Sequence, residues 1–383
     1  MQKPFPNLTY LQVWVYDDVV PAHPDSFLGG SAPRLRTLSL LGIAIPSLPK
    51  LLLSAKGLVT LTLLVIPDSG YIPPDAMVTA LTVMTRLESL NLRFRSPQSP
   101  SRPDPPSQPL PPPTRLLLPA LTRLTFIGVH EYLEDLLARV DAPNLNYLLT
   151  IFSMDHNFDV PQLHRLIGRA EEFKTFDRAE MFISNDSIRL ILSPKTETVG
   201  HPRLLHLGIS CRKLDQQLSS LTQVYSSFPI ISTLEELEIW GSDSSHSNND
   251  MESAQWLELL HPFAALKNLY LSHGIAQRVC NALRALSVKR ENEVLPALRN
   301  VFVWNSGSLP VGPIQGAMEP FVAARRLSSH PMMVVDGWVG EPSPFCFKLG
   351  SNLIYFLLAN LASVSFDSGT FANTIKNVKN VSS

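Results

Sequence analysis

Leu35-Arg-Thr-Leu-Ser-Leu40, Leu58-Val-Thr-Leu-Thr-Leu63 and Leu87-Glu-Ser-Leu-Asn-Leu92 are three copies of one phrase, Leu-x-x-Leu-x-(Leu/Ile/Val/Phe). It also reads Leu8/Leu11/Val13 upstream and Leu121/Leu124/Phe126 downstream. After a degenerate middle it resumes as Leu204/Leu207/Ile209, Leu234/Leu237/Ile239, Leu266/Leu269/Leu271 and Leu298/Val301/Val303. The apolar residues two apart at the end of each copy fall on one face of a strand. Self-similarity at a period of roughly 20–50 residues marks stacked units, each touching only its neighbours.

The phrases begin at Leu8, Leu35, Leu58, Leu87, Leu121, Leu145, Phe173, Leu204, Leu234, Leu266 and Leu298, in steps of 27, 23, 29, 34, 24, 28, 31, 30, 32 and 32 by subtraction. The phrase has the form of a leucine-rich-repeat strand, yet five of the ten steps exceed the ~20–29 residues of the regular repeat. The extra length predicts true helices. Pro73-Pro74-Asp75 opens a helix over 76–86, with proline where a helix starts. Apolar residues at 129, 132, 133, 136, 137 and 140 predict a helix over 129–140. Asp159, as N-cap, and Pro161 predict one over 160–170. The same logic gives 214–228, 251–263, 275–288 and 314–327. The expected fold is α/β: an irregular leucine-rich-repeat solenoid with parallel strands on a concave face and helices on a convex one. Helices are about 10 Å wide and strands about 4.8 Å apart, so the helical side spreads.

Two segments break the array. Residues 95–114 (RSPQSPSRPDPPSQPLPPPT) form a proline-rich insertion that reads as an exposed polyproline-like loop. In the second, Phe173/Phe176 degrade the phrase, and a hairpin over 179–192 turns at Ser184-Asn185-Asp186. The expected organisation is a repeat domain over 1–340 and a non-repeat tail, helical or poorly ordered, over 341–383.

The net charge of −1 supplies no general basic field for nucleic acid or an anionic membrane. Cys211, Cys280 and Cys346 are too scattered for a disulfide framework or zinc site and fit a reducing compartment. The N-terminus does not read as a signal peptide, so the expectation is cytoplasmic or nuclear, and the Asn7, Asn185 and Asn380 sequons read as chance matches. The apolar run 353–364 is short of the ~20 residues that span a bilayer.

Several stretches resemble the repeat region of the large F-box-like protein family of basidiomycete fungi. They are the proline-rich insertion followed by Leu118-Pro-Ala-Leu-Thr-Arg-Leu-Thr-Phe-Ile-Gly-Val-His-Glu-Tyr-Leu-Glu-Asp-Leu-Leu-Ala-Arg-Val-Asp-Ala-Pro143, then Phe158-Asp-Val-Pro-Gln-Leu163 and Phe321-Val-Ala-Ala-Arg-Arg-Leu-Ser-Ser-His330. The resemblance covers most of 1–340. It implies substrate-holding repeats behind an F-box that recruits a cullin ubiquitin ligase. Leu8 already belongs to a phrase, so no F-box is expected in this chain, and a cullin-ligase adaptor is a partner only if an F-box exists upstream. Residues 342–383 depart from the pattern and read as unrelated to the array.

No Gly-x-Gly-x-x-Gly, Walker-type or Gly-x-Ser-x-Gly motif occurs, so no enzyme activity, cofactor or metal is expected. His156, between Asp155 and Asp159, reads as polar loop surface, and Cys280, on the stripe Val279/Leu283/Leu286, as a core thiol. The residues flanking the inward leucines point to the concave side. The last copies offer Glu236, Glu238, Trp240, Tyr270, Phe302 and Trp304 there, aromatics beside carboxylates on a rigid surface, which suits a protein-binding hot spot with Glu236 and Glu238 selecting charge. Strand ends are also where tryptophans cover a core edge. The Pro-x-x-Pro spacings of 95–114 suit an SH3 or WW groove, and Ser96-Pro97 and Ser99-Pro100 are candidate phosphosites, with Arg93, Arg95 and Arg102 beside them. A tolerated surface insertion would look the same. The expected function is a non-catalytic interaction module for an unidentified protein ligand. The alternative is a truncated or vestigial product that self-associates through its uncapped first phrase.

Overall fold

The structure is a computed structural model and describes residues 5–15, 27–94, 115–153, 159–184, 187–195, 203–210, 214–226, 228–241, 253–285, 294–304, 314–327 and 331–338. They lie in one compact unit, Met1–Trp338; a second unit, Val339–Ser383, lies outside the described residues. So do the insertion 95–114 with Ser96 and Ser99, His156, Cys211, Cys346 and the apolar run 353–364.

The fold is mixed α/β. The strands are β1 (Tyr10–Trp14), β2 (Thr37–Leu41), β3 (Thr60–Ile66), β4 (Ser89–Phe94), β5 (Leu116–Leu117), β6 (Arg123–Gly128), β7 (Val140–Asp141), β8 (Tyr147–Ser153), β9 (Arg178–Ile183), β10 (Ser187–Ser193), β11 (Leu204–Ser210), β12 (Glu236–Gly241), β13 (Asn268–Ser272), β14 (Asn300–Trp304) and β15 (Met333–Trp338). Eight helices are described: α1 (Leu48–Ser54), α2 (Pro74–Leu81), α3 (His130–Leu137), α4 (Pro161–Arg169), α5 (Leu214–Ser226), α6 (Ser253–Leu260), α7 (His273–Arg284) and α8 (Ile314–Leu327). Thirteen strands form one sheet in the order β1-β2-β3-β4-β6-β8-β11-β10-β9-β12-β13-β14-β15; β5 and β7 pair separately. Every neighbouring pair in the large sheet is parallel except the two that β10 makes.

Most phrases build the same local structure. Leu204 differs: it lies inside β11, and Leu205 and Leu207 take the places that Leu148 and Thr150 have on β8. Elsewhere the first leucine precedes the strand and closes a turn: Leu35, Leu58, Leu87, Leu145 and Leu298 each donate a backbone N–H to the carbonyl three residues earlier. The next carbonyl accepts from two N–H groups of the following copy, Arg36 from Val59 and Thr60, and Lys267 from Arg299 and Asn300. The other two apolar residues enter the strand and face inward; Leu38, Leu40, Leu61, Leu63, Leu237, Ile239, Val301 and Val303 are fully buried. Burying each such side chain stabilises by roughly 1.5–3 kcal/mol. All eight helices feed the same core, through residues such as Leu51, Met77, Leu133, Leu163, Leu221, Trp256, Val279 and Phe321, so they lie on the leucine side of the sheet.

Several details differ from the sequence reading. The β–α alternation is interrupted: a 3₁₀ turn (Phe27–Gly30) stands between β1 and β2, and among the described residues no helix separates β9, β10 and β11. Most helices are shorter than predicted, because the first leucine of the next phrase needs a turn of its own; α1 was not predicted. Asp159 does not cap α4. The Glu134 carboxylate of α3 does so instead, accepting the N–H groups of Gln162 (2.8 Å) and Leu163 (2.9 Å).

The degenerate copy is out of register by three residues in the sequence reading. Arg178 pairs with Glu236, Ala179 with Leu237 and Met181 with Ile239, so the phrase is Phe176/Ala179/Met181 rather than one begun at Phe173. Asp177 makes the repeating double acceptance, from Glu235 and Glu236. β9 then turns through Ser184, whose N–H and hydroxyl both reach the Ser187 carbonyl at 2.9 Å, into antiparallel β10. β10 runs back toward β8, and β11 fills the place beside it.

Candidate functional site

Opposite the leucines, the strand registers align side chains into rows across the sheet. One row runs Gln12, Ser39, Thr62, Asn91, Thr125, Leu149, His206, Ile191, Glu180, Glu238, Tyr270, Phe302 and Val335. Small neutral polar residues fill the β2–β6 half, an apolar stretch with His206 lies in the middle, and two carboxylates then two aromatics follow. The expectation that residues flanking the leucines stand open on the concave side is corrected for Ser39, Thr62, Asn91, Thr125, His206 and Glu238, which are buried, as is Glu180. Strands about 4.8 Å apart let small side chains on adjacent strands shield one another.

The six predicted residues come together on β12, β13 and β14. Tyr270 stacks on Phe302 with ring centroids 4.7 Å apart and 12° between planes. Trp240 meets Trp304 edge-on at 5.3 Å. All four rings are half-buried. Their sheet positions follow from the phrase, since Glu238 pairs with Tyr270, Tyr270 with Phe302, and Ser272 with Trp304.

The charges are less available than expected. Glu238 is only 5% exposed. Its carboxylate holds the Arg178 guanidinium on one side and accepts from the Trp240 indole N–H at 3.3 Å on the other. Arg178 also lies 3.6 Å from buried Glu180. Burial works against the Arg178 cation, but Glu238 and Glu180 outweigh it and hold its pKa above the usual arginine value. Glu236 is half-buried and ion-paired with Lys195 at 2.7 Å, and the hydrogen bond to Glu236 raises the Lys195 pKa. Asn268 donates to Glu236 at 3.4 Å and accepts from Asn300 at 2.8 Å, which extends the polar row to β14. Burial first, then Glu236 and Glu238, raises the Tyr270 pKa and keeps the phenol neutral. Glu238 thus lies buried between the Arg178 guanidinium and the Trp240 indole.

Sequence reasoning missed Arg178, Glu180 and Lys195. Read in its true register, Phe176-x-x-Ala179-x-Met181, the degenerate copy places Arg178 and Glu180 where β12 has Glu236 and Glu238; that signal was present. Lys195 follows the β10 strand, where no phrase applies. Cys280 is buried on α7, as the sequence reading has it. Among the described residues no group of three His, Cys, Asp or Glu is placed to hold a metal ion, and no helix is long and apolar enough to cross a membrane. The assembled chemistry is four aromatic faces, two side-chain amides and ion pairs that fix them.

No family model matches the chain, and no curated protein matches it. Among solved structures, the chain is similar to the crystal structure of the leucine-rich repeat-containing protein LegL7 from Legionella pneumophila, at 11% identity and a TM-score of 0.26, over 79% of this chain and 84% of that one.

Proposed function

We propose that this chain is a non-catalytic protein-interaction module built as a leucine-rich-repeat solenoid, with its partner surface at the β12–β14 end of the sheet face opposite the described helices. The observation that carries the reading is the double aromatic pair, Tyr270/Phe302 and Trp240/Trp304, held by the Arg178–Glu238 ion pair on regular strands. Binding energy concentrates where large, rigid aromatic side chains are desolvated at the centre of a contact, with polar groups fixing orientation. The partner is a protein, with no nucleic acid or membrane, in the cytoplasm or nucleus. By resemblance, the array is the substrate-holding part of an F-box-type ubiquitin-ligase receptor, with the ligase recruited only if an F-box precedes these repeats.

The test is quantitative capture of partners from a cell lysate by the full chain and by Trp240→Ala/Tyr270→Ala. Both proteins must show native circular dichroism and cooperative unfolding. Loss of the captured partner by about tenfold or more is expected, since each hot-spot truncation costs more than 1 kcal/mol. Equal capture by the variant removes the patch from the reading. Partly buried Leu8, Leu11 and Val13 at the β1 end favour the vestigial alternative, which predicts open-ended aggregates without defined stoichiometry.

A further inference from the structure

β1 is chemically palindromic. Its sequence Tyr10-Leu11-Gln12-Val13-Trp14 reads aromatic, aliphatic, amide, aliphatic, aromatic in either direction. Among the described residues β2 is its one strand partner. The flanking stretch Thr9-Tyr-Leu-Gln-Val-Trp-Val-Tyr16 carries no charge and no proline, which are the usual devices that blunt an edge strand. At the other end of the sheet, β15 carries Asp336 and Gly337 and its pairing has a register shift.

The backbone directions fit the palindrome. The Thr9 carbonyl accepts from Arg36 (2.8 Å) and Thr37 (3.1 Å), and the Val15 N–H donates to Leu41 (3.0 Å), so odd-numbered residues address β2. By the two-residue period of a strand, the backbone groups of Tyr10, Gln12 and Trp14 point away from β2. On the leucine side, Leu11 and Val13 are only partly buried where their counterparts Leu38 and Leu40 are fully buried.

We propose that β1 pairs antiparallel with β1 of a second copy of this chain, about a two-fold axis through Gln12. In that register Gln12 faces Gln12 and Tyr10 faces Trp14 as hydrogen-bonded pairs, and Leu11 faces Val13. Each face then matches: aliphatic on aliphatic over the core, aromatic on aromatic and amide on amide opposite it. No charge opposes a like charge. The pairing joins the two sheets and covers the apolar end of both cores. It uses neither Trp240 nor Tyr270, so its failure and that of the proposed partner surface are separable.

Sedimentation equilibrium on the full chain is expected to give a concentration-dependent dimer. Gln12→Cys should cross-link it under mild oxidation well beyond the unchanged chain, because hydrogen-bonded antiparallel pairs hold Cα atoms about 5.5 Å apart, within disulfide range. Tyr10→Cys alone should not cross-link, since its symmetry mate lies several residues away along the strand. Gln12→Pro removes an outward N–H that β2 does not use. It should leave circular dichroism unchanged and weaken dimerisation by tenfold or more. A monomer at all concentrations, a dimer that survives Gln12→Pro without Gln12→Cys cross-linking, or growth beyond a dimer overturns the proposal.

Discussion

Thr150 stands on β8, aligned with Phe126 of β6 and Leu207 of β11, at a position that other copies give to an apolar side chain. It is fully buried and its hydroxyl has no hydrogen-bond partner. A buried unsatisfied hydroxyl costs about 1–3 kcal/mol, whereas valine has nearly the same shape. Thr150→Val is therefore expected to raise stability by about 1 kcal/mol, read as a higher urea midpoint at unchanged slope. His206 gives the opposite case, a buried group tied to pH. Burial, and then the Arg189 charge, pushes its pKa from 6.5 down to about 3. Below pH 6.5 the unfolded chain takes up a proton that the folded chain refuses. His206 therefore leaves stability intact above that pH and removes it as pH falls toward 3. Between pH 7 and pH 5 it should remove about 2 kcal/mol, and His206→Leu should lose that much less over the same interval in urea titrations. Both positions were legible as members of the repeat and neither as a buried polar group, because a strand's period gives the face but not what neighbouring strands place over it.

Elements are set by the phrase on one side and by each other on the other. The first leucine's turn ends most helices early, which a helical pattern cannot reveal, since the apolar positions continue through the turn into the phrase. Sheet order was legible wherever one parallel strand follows another. It was not legible at β9, β10 and β11, because a hairpin in sequence does not say on which side the next strand will pair. The α3–α4 contact was equally hidden, since it joins residues 28 apart in sequence at the closest pair of atoms. α4 has no side-chain cap of its own, and half-buried Glu134 satisfies two of its opening N–H groups. A capping oxygen contributes about 1 kcal/mol, and a charged one accepting two bonds somewhat more. Glu134→Ala should thus destabilise by about 2 kcal/mol, with faster amide exchange at Gln162 and Leu163. Asp159→Ala should change stability by less than about 0.5 kcal/mol. A loss at Asp159 equal to that at Glu134 would contradict this capping.

Over the whole molecule, packing passes from neighbour to neighbour: α1 to α2 to α3 to α4, and α5 to α6 to α7 to α8, behind the ladder of strands. His164 of α4 and Phe228, which follows α5, meet edge-on at 4.8 Å where the two runs adjoin. Coupling of this kind makes stability a sum of local units and nearest-neighbour contacts, so damage should stay near its origin. Arg325 on α8 tests this. It is fully buried, its Nη2 lies 3.0–3.2 Å from the carbonyl oxygens of Leu295, Pro296 and Leu298, and its guanidinium sits 5.9 Å from the Phe321 ring. It thereby ties α8 to the turn that starts the last phrase. Arg325→Met keeps the volume and removes the donors, which should cost roughly 3 kcal/mol through the stranded carbonyls. Hydrogen exchange should then show lost protection in α7, α8, β13, β14 and β15, with β2, β3 and β4 at wild-type rates. Uniform loss of protection across all these strands would mean that the sheet unfolds as one cooperative block, and the neighbour-to-neighbour description would have to be abandoned.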